Sequence, residues 1–425
     1  MNNSDRMPLH TQIFIALFLA AVLGAWTTPQ TELFGIVIYD VMDFFGKLFL
    51  SALKMIVIPL VFSSIIVGVS SIAAEHGFAR MGAKTIAYYL VTSTLSILVG
   101  LMLVNLFQPG VMEDGLNKLS ALSADSSEVM SKLEGHDTSS LFGVFLRMIP
   151  SNIFMAASEG QLLGVIFFAA VFGFFITKID KPLKRPTMNF WNAFNQTMMK
   201  ITLWIIKFSP YGVFALVGKV IMDSGLEVFL VLLQFFLTVL GGLAIHFLII
   251  LPLMLYLIAR VNPILYLKAM TPAVLMAFST ASSSSTLPLT MNCAQNRVGA
   301  SKKVTSFVMP LGATINMDGT ALYECVAVIF IAQLYGVDLS FATQFTIVLL
   351  ALLTSIGVAG VPAASLVAIT LIMGVVGLPA EGIALILAVD RILDMCRTSV
   401  NVYSDSTAVG IIARSEGEAL ARVRG

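Results

Sequence analysis

Residues 269–296 read AMTPAVLMAFSTASSSSTLPLTMNCAQN, without a single charge. As one helix the run would be long enough to cross the roughly 30 Å hydrocarbon core of a bilayer. Midway, however, it is interrupted by SSSSTLP at 282–288, and basic residues stand on both sides: Arg260 and Lys268 before, Arg297, Lys302 and Lys303 after. Loops rich in Lys and Arg stay cytoplasmic. With both flanks on that side, the segment must enter the membrane and turn back. A second charge-free run, 339–380, is broken midway by SIGVAGVPAAS at 355–365, and its flanks, Asp338 and Glu381, suit the outer face. Two re-entrant hairpins from opposite sides, each followed by a polar-marked helix, are the pattern of an inverted repeat whose broken helices meet near the midplane. Non-helical backbone survives at that depth only inside protein or against a water-filled cavity. A kinked span with Ser and Gly at helix contacts is the alternative for either tip alone. The matched pair favours hairpins.

Composition agrees with a membrane setting. Apolar residues make up 58% of the 425 positions and charged ones 12%, with a net charge of +1 and a mean hydropathy of +0.92. Ordinary globular chains hold roughly 45–50% apolar residues. Apolar runs such as 13–27 and 229–259 read as membrane spans, and the alternation of a β-barrel is missing. The balanced charge argues against a nucleic-acid partner or a polybasic tail. The apolar run behind Arg6 and His10 reads as a first span, not a removed signal. Basic residues at 80, 84, 178–185, 260, 268 and 414–424, against an acidic-leaning stretch at 113–137, put both termini in the cytoplasm. The expected fold is an all-α polytopic protein of the cell inner (plasma) membrane, with eight transmembrane helices and two re-entrant hairpins. Cys293, Cys325 and Cys396 form no disulfide or metal motif and read as packing residues.

Two polar constellations carry chemistry. DRILDMCRTSVNVYSD, residues 390–405, packs five charges into an apolar context. At about 100° per residue, Asp390, Asp394, Arg397, Asn401 and Asp405 share one helical stripe, with Thr398 on its edge. An intrahelical Asp394–Arg397 ion pair is the plain structural reading. Ionisable residues at membrane depth are costly, however, and mostly face a bundle interior or a substrate path. Carboxylates, a guanidinium, an amide and hydroxyls on one stripe can complement both charges of an amino acid. The second constellation is NMDGT, 316–320, after PLGATI. Gly312, Thr314 and Gly319 permit local unwinding that frees carbonyl oxygens. Asn316 and Asp318 add side-chain oxygens, the ligands that hard cations take. The four histidines (His10, His76, His136, His246) are scattered without ligand spacing. No nucleophile–base arrangement, phosphate loop or dinucleotide fingerprint is visible.

SSSSTLP (282–288), PLGATINMDGT (310–320), GVAGVP (357–362) and DMCRTSVNVYSD (394–405), in this order and spacing, resemble the glutamate/aspartate transporters of the dicarboxylate/amino acid:cation symporter family. The likeness of organisation covers nearly the whole chain. It implies a homotrimer working by an elevator mechanism. Residues 1–75 would be scaffold helices one and two, 76–108 helix three of the moving transport domain, and 109–220 scaffold helices four and five with an extracellular loop. Residues 221–425 would be the transport core: helix six, hairpin one (269–300), helix seven (304–332), hairpin two (339–380) and helix eight (381–412).

The resemblance also implies residue roles. Asp394 would hold the substrate ammonium and Arg397 its side-chain carboxylate, which a planar guanidinium grips at two points. Asn401 and Ser284, with backbone around Ser283 and Val361, would hold the main-chain carboxylate. Thr320 and Thr398 assist, and Met317 and Gly360 complete the substrate set. Three sodium sites are implied. The first would use Asp405 and Asn401 with carbonyls of Gly312 and Asn316. The second would use carbonyls of Thr314, Ser355, Ile356 and Val358, and the third Tyr89, Thr92, Ser93, Asn316 and Asp318. No cofactor is implied beyond the coupling ions. Relatives lacking the arginine take neutral substrates, and those lacking the aspartate take acids without an amino group. Both are present here, which points to aspartate or glutamate. Two positions depart from the pattern: Ala281 and Met395 stand where relatives commonly carry one extra arginine. Glu324 is a candidate proton carrier, because a carboxyl in a dry interior can stay protonated at neutral pH.

The implied function is a sodium-coupled symporter of acidic amino acids, with proton co-transport at Glu324. A proton-driven glutamate/dicarboxylate symporter is the alternative within the family, and Asp318 and Asp405 speak against it. An ion channel would need no matched ammonium and carboxylate partners. An intramembrane enzyme would need a serine with a base beside it, and none is visible.

Overall fold

The computed structural model describes residues 7, 9–73, 79–111, 149–158, 162–224, 228–357, 365–379, 382–420 and 423. The chain is overwhelmingly helical. In order come α1 (Leu9–Trp26), α2 (Ile38–Ala73), α3 (Ala79–Phe107), α4 (Ile153–Ser158), α5 (Leu162–Ile176), α6 (Lys181–Ile206) and α7 (Ser209–Ser224). α8 starts as Val228–Ile245 and continues through two π-helical turns, His246–Ile250 and Leu255–Ala259. α9 (Pro263–Thr280), α10 (Ser283–Cys293), α11 (Lys302–Ile315), α12 (Asp318–Leu334), α13 (Phe341–Gly357), α14 (Ser365–Val376) and α15 (Ile383–Ser415) follow. Among the described residues the only sheet is a pair of two-residue strands, Glu32–Leu33 and Ile36–Val37.

Three helical stretches among the described residues are long and apolar enough to cross a bilayer: Arg80–Phe107, Phe229–Ala259 and Lys302–Leu334. α6 with α7 makes a fourth if the pair, bent by 53°, is one span. The helices sort into two packing groups. α1 lies on α7, and α2 packs against α5, α6 and α7. In the second group α3 lies on α12 and α8, while α15 packs against α9, α11 and α12. The groups meet where α13 and α14 touch α2 and where α15 touches α7. Every residue of α12 except Gln333 is buried. A helix covered on all sides belongs at the centre of a bundle.

Hairpin one turns in two residues. Ala281 takes the left-handed conformation (φ 49°) and closes α9, then Ser282 caps α10 by accepting from the Ser285 amide at 3.2 Å. α10 then folds back along α9. The first arm begins at Pro263, earlier than the residue 269 expected from charge alone. Asn262 accepts from the amides of Ile264 (3.0 Å) and Leu265 (3.2 Å), and Pro263 follows at the first helical position. Lys268 therefore lies within the arm. In hairpin two, α13 and α14 pack side by side. Its tip, with Val358, Gly360 and Val361, falls outside the described residues.

The helix expected over 304–332 is two helices. Asn316 (φ −111°, ψ 91°) is extended and Met317 (φ −122°, ψ 60°) is likewise non-helical between them. α12 starts without a side-chain cap from its own segment. Its early Gly319 amide instead donates to Asn401 Oδ1 of α15 at 2.8 Å. Tertiary structure thus satisfies a group that a helix start leaves orphaned.

After α15 the chain folds back over the other helix ends. Lys84 of α3 donates to Glu416 (2.5 Å), Asn262 donates to the Val423 carbonyl (3.1 Å), and the Ser301 amide donates to Glu418 (2.8 Å). The hydrogen bond from Lys84 holds the Glu416 carboxyl below the usual glutamate range. A depressed carboxyl supplies its contact above its unfolded value and loses it as pH falls through the folded one, so this tie loosens only in acid.

Gly319 marks a close approach of α12 to α15: a Cβ there would stand 2.8 Å from the Arg397 carbonyl oxygen and 3.0 Å from the Arg397 Cα. Backbone cannot step aside as a flexible side chain can. Gly319→Ala should therefore destabilise the protein by about 1–3 kcal/mol, read as a lowered melting temperature in detergent. An unchanged melt would show that the two helices have slack.

Candidate functional site

α15 carries most of the site, with its polar stripe turned inward. Asp390, Asp394, Arg397, Thr398, Asn401 and Asp405 are all buried, and Arg397 has 0% exposure. A fully buried guanidinium needs compensating anions, and it has two. Both terminal nitrogens reach Asp390 Oδ1 at 3.1 Å, and Nη2 also donates to Asp394 Oδ1 at 2.9 Å. The phenol ring of Tyr323 lies beneath it, 3.8 Å from Cζ to the centroid, a desolvated cation–π contact. Arg391 stands 3.7 Å from the other Asp394 oxygen. Two carboxylates and two guanidinium groups therefore share one cluster. Of the two residues expected from the sequence to support Arg397 structurally, Asp390 is a principal ion partner of it, while Arg391 faces Asp394.

One turn further along α15, Asn401 joins two elements. Its Oδ1 caps Gly319, and its Nδ2 donates to Thr320 Oγ1 at 3.1 Å. Thr398 is occupied within its own helix, donating to the Asp394 carbonyl at 2.8 Å. Ser283 at the tip of hairpin one is buried and Ser284 is exposed. Met317 is buried at the α11–α12 break.

A second cluster of oxygens lies deeper along the same stripe. Asp318 accepts from Ser93 of α3 (2.7 Å), from Ser404 of α15 (2.6 Å) and from His246 Nε2 of α8 (2.9 Å). Ser96 donates to its backbone carbonyl at 2.9 Å. Asn316 Nδ2 bridges Ser404 (3.1 Å) and Asp405 Oδ1 (2.9 Å). Its buried Oδ1 has no partner, which leaves a hard acceptor free beside two carboxylates. Gly312 makes room for this arrangement: a Cβ there would meet Asp405 Oδ1 at 2.5 Å and the Tyr89 hydroxyl at 2.7 Å. Tyr89 itself donates to the Val308 carbonyl at 2.8 Å. The unpaired Asn316 oxygen and the charge of Asp318 and Asp405 suit a monovalent hard cation.

Other residues singled out in the sequence stand apart from these contacts. The Thr92 hydroxyl bonds to carbonyls of its own helix, those of Tyr88 and Tyr89. Thr314 is exposed, with its hydroxyl on Pro310. The Ser355 hydroxyl donates to the Leu352 carbonyl, and Ile356 lies in the last turn of α13. Glu324, in the middle of α12, is fully buried: Thr354 of α13 donates to its Oε2 at 2.7 Å, and its Oε1 has no partner. Sequence reasoning missed His246 and Tyr323. His246 had a signal, since no other His, Lys, Arg, Asp or Glu stands in the apolar run 229–259.

Comparison with known proteins follows the same lines. The profile of the Sodium:dicarboxylate symporter family matches residues 9–415. The chain is 36% identical to a "Proton/sodium-glutamate symport protein" of Bacillus caldotenax, over 97% of this chain and 96% of that one. It is 34% identical to the "Proton/glutamate-aspartate symporter" of Escherichia coli (strain K12), over 97% and 93%. It is also 34% identical to "Excitatory amino acid transporter 3" of Mus musculus, over 94% and 84%.

Burial ranks the ion pairs by energy. The Lys47–Asp43–Lys219 group is partly exposed, with Lys47 at 66%, and such pairs contribute about 0–1 kcal/mol. Removing one partner of a fully buried pair costs about 3–5 kcal/mol. Asp390→Ala should accordingly lower the melting temperature far more than Asp43→Ala, and equal effects would refute the assignment of Asp390 to Arg397.

Proposed function

Because the chain belongs to the sodium:dicarboxylate symporter family, we propose that it is a secondary active symporter importing aspartate or glutamate down a sodium gradient, with proton co-transport. The observation that carries this reading is the buried Arg397 flanked by Asp390 and Asp394, two turns from the oxygen cluster of Asn316, Asp318 and Asp405. The substrate's side-chain carboxylate takes Arg397. Its ammonium takes Asp394, which exchanges the guanidinium for it, while Asp390 keeps Arg397 charge-compensated. The main-chain carboxylate lies toward Asn401 and the Ser283–Ser284 tip of hairpin one, with Thr320, Thr398, Met317, Gly360 and Val361 completing the site.

Sodium is cargo and driving ion together. Asn316, Asp318 and Asp405 supply oxygens that it prefers, with Asn401, Tyr89, Thr92, Ser93 and carbonyls of Gly312, Thr314, Ser355, Ile356 and Val358 as further ligands. Asn401 contacts the start of α12 and stands one turn from Asp405. An ion that orders Asn316 and Asp405 therefore orders the group facing the substrate. Coupling of this kind is reciprocal: each ligand strengthens the other by the same factor. Glu324 carries the proton. Its Thr354 contact ties that event to the first arm of hairpin two.

Eight transmembrane helices with cytoplasmic termini, a homotrimer and elevator motion complete the proposal. α1, α2 and α4–α7 serve as scaffold, and α3 with α8–α15 as the moving part. The separation into two packing groups supports that division.

Purified protein in liposomes gives the decisive test. Radiolabelled aspartate should accumulate under an imposed inward sodium gradient, and absence of uptake under both sodium and proton gradients would overturn the reading. Arg397→Cys should abolish uptake of acidic substrates, and retained aspartate transport would remove its assigned role. Glu324→Gln should flatten the pH dependence of uptake, whereas an unaltered pH profile would locate the proton elsewhere.

A further inference from the structure

His246 lies outside every motif that points to transport, yet it is fully buried and touches Asp318, a carboxylate that accepts from three side chains. Three side chains from three different helices meet at Asp318 of α12: Ser93 of α3 donates to Oδ1, while Ser404 of α15 and His246 of α8 donate to Oδ2. A carboxylate can only accept, so the Nε2–H tautomer of the ring faces it. Nδ1 is buried without a partner, which leaves the contact to Asp318 as the ring's single polar interaction.

The local backbone is arranged around this contact. α8 changes from α to π geometry at His246, and the π turn runs to Ile250. Such turns are rare and frequently mark functional positions. The next residue, Phe247, packs its ring against Tyr403 at 4.7 Å between centroids, beside the Ser404 that shares Asp318 Oδ2 with the histidine. Two successive residues of α8 are thus locked, one to α12 and one to α15. That fixes the ring without relying on the flexibility of a long side chain.

We propose that His246 is a positioning residue for sodium: its Nε2–H, with Ser404, holds Oδ2 of Asp318 so that the carboxylate presents a fixed oxygen arrangement to the ion bound between Asp318 and Asn316. This rests on the sodium-coupled reading above and assigns a group that it does not contain. Partners that orient a metal ligand are typically worth 10–100-fold in metal affinity. Glutamine places an amide N–H near the Nε2 position, whereas phenylalanine and leucine fill the volume without a donor.

Sodium titrations of aspartate uptake by His246→Gln, His246→Phe and His246→Leu in proteoliposomes test the proposal, alongside the sodium-induced rise in melting temperature of each purified protein. Phe and Leu should raise the half-saturating sodium concentration about tenfold or more, with aspartate half-saturation at saturating sodium within about twofold of wild type. Gln should restore sodium half-saturation to within about threefold. A Phe or Leu variant with wild-type sodium dependence overturns the proposal, as does a Gln variant as weak as either. Should neither apolar variant fold, the Gln variant decides alone by keeping or losing sodium affinity. Wild-type protein whose uptake ignores sodium would instead sink the underlying transport reading, which separates the two failures.

Discussion

A charge removed from water must be compensated on the spot, and the core of this protein is organised by that constraint. Arg397, Asp318, Asp405 and Glu324 are all buried within the bundle. Their partners tie several helices together: Asp318 gathers α3, α8 and α15, Glu324 ties α12 to α13, Asn401 ties α15 to the start of α12, and Arg397 pairs with Asp390 and Asp394 of its own helix over the Tyr323 ring of α12. Apolar packing alone has no direction. These polar contacts are directional, and they give the crossing helices one register. The same groups that fix the register are those suited to a charged substrate and a cation, so structural specificity and transport chemistry reside in one set of atoms.

The break between α11 and α12 follows from the same constraint. A continuous helix would use Asn316 and its neighbours for its own ladder. Two non-helical residues interrupt that ladder and bring the Asn316 side chain between Ser404 and Asp405. Gly312 and Gly319 permit the approach: one leaves room for Asp405 and Tyr89, the other for the backbone at Arg397.

Much of this was legible in the amino-acid order. The stripe on 390–405 follows from helical phase, and burial on that face was implied by the cost of charge in lipid. Hairpin one was legible from basic flanks around a charge-free run. Its start was placed too late because charge was weighted over the Asn262–Pro263 cap, a local signal that was present. What stayed hidden was partnership. Helical phase puts Asp390, Asp394 and Arg397 on one stripe, but it does not show that Arg391 turns to Asp394 or that the Tyr323 ring of α12 lies beneath Arg397. His246 was set aside for lack of a ligand-spaced partner, although its partner lies 72 residues away on another helix. Spacing rules find partners along one helix. A buried ionisable group in an apolar span has to be assumed partnered across helices.

The π turn in α8 bears on how the gene can vary. A π turn closes its hydrogen bond over one residue more than an α turn does. Loss of one residue within His246–Ile250 would let the segment close as ordinary α-helix and leave both flanks in their present orientation. Within the α-helical turns of α8 the same deletion would rotate everything beyond it by about 100°. Length change is therefore absorbed at the π turns, and at the first of them it removes the bulge that aims the histidine while sparing the packing of the span.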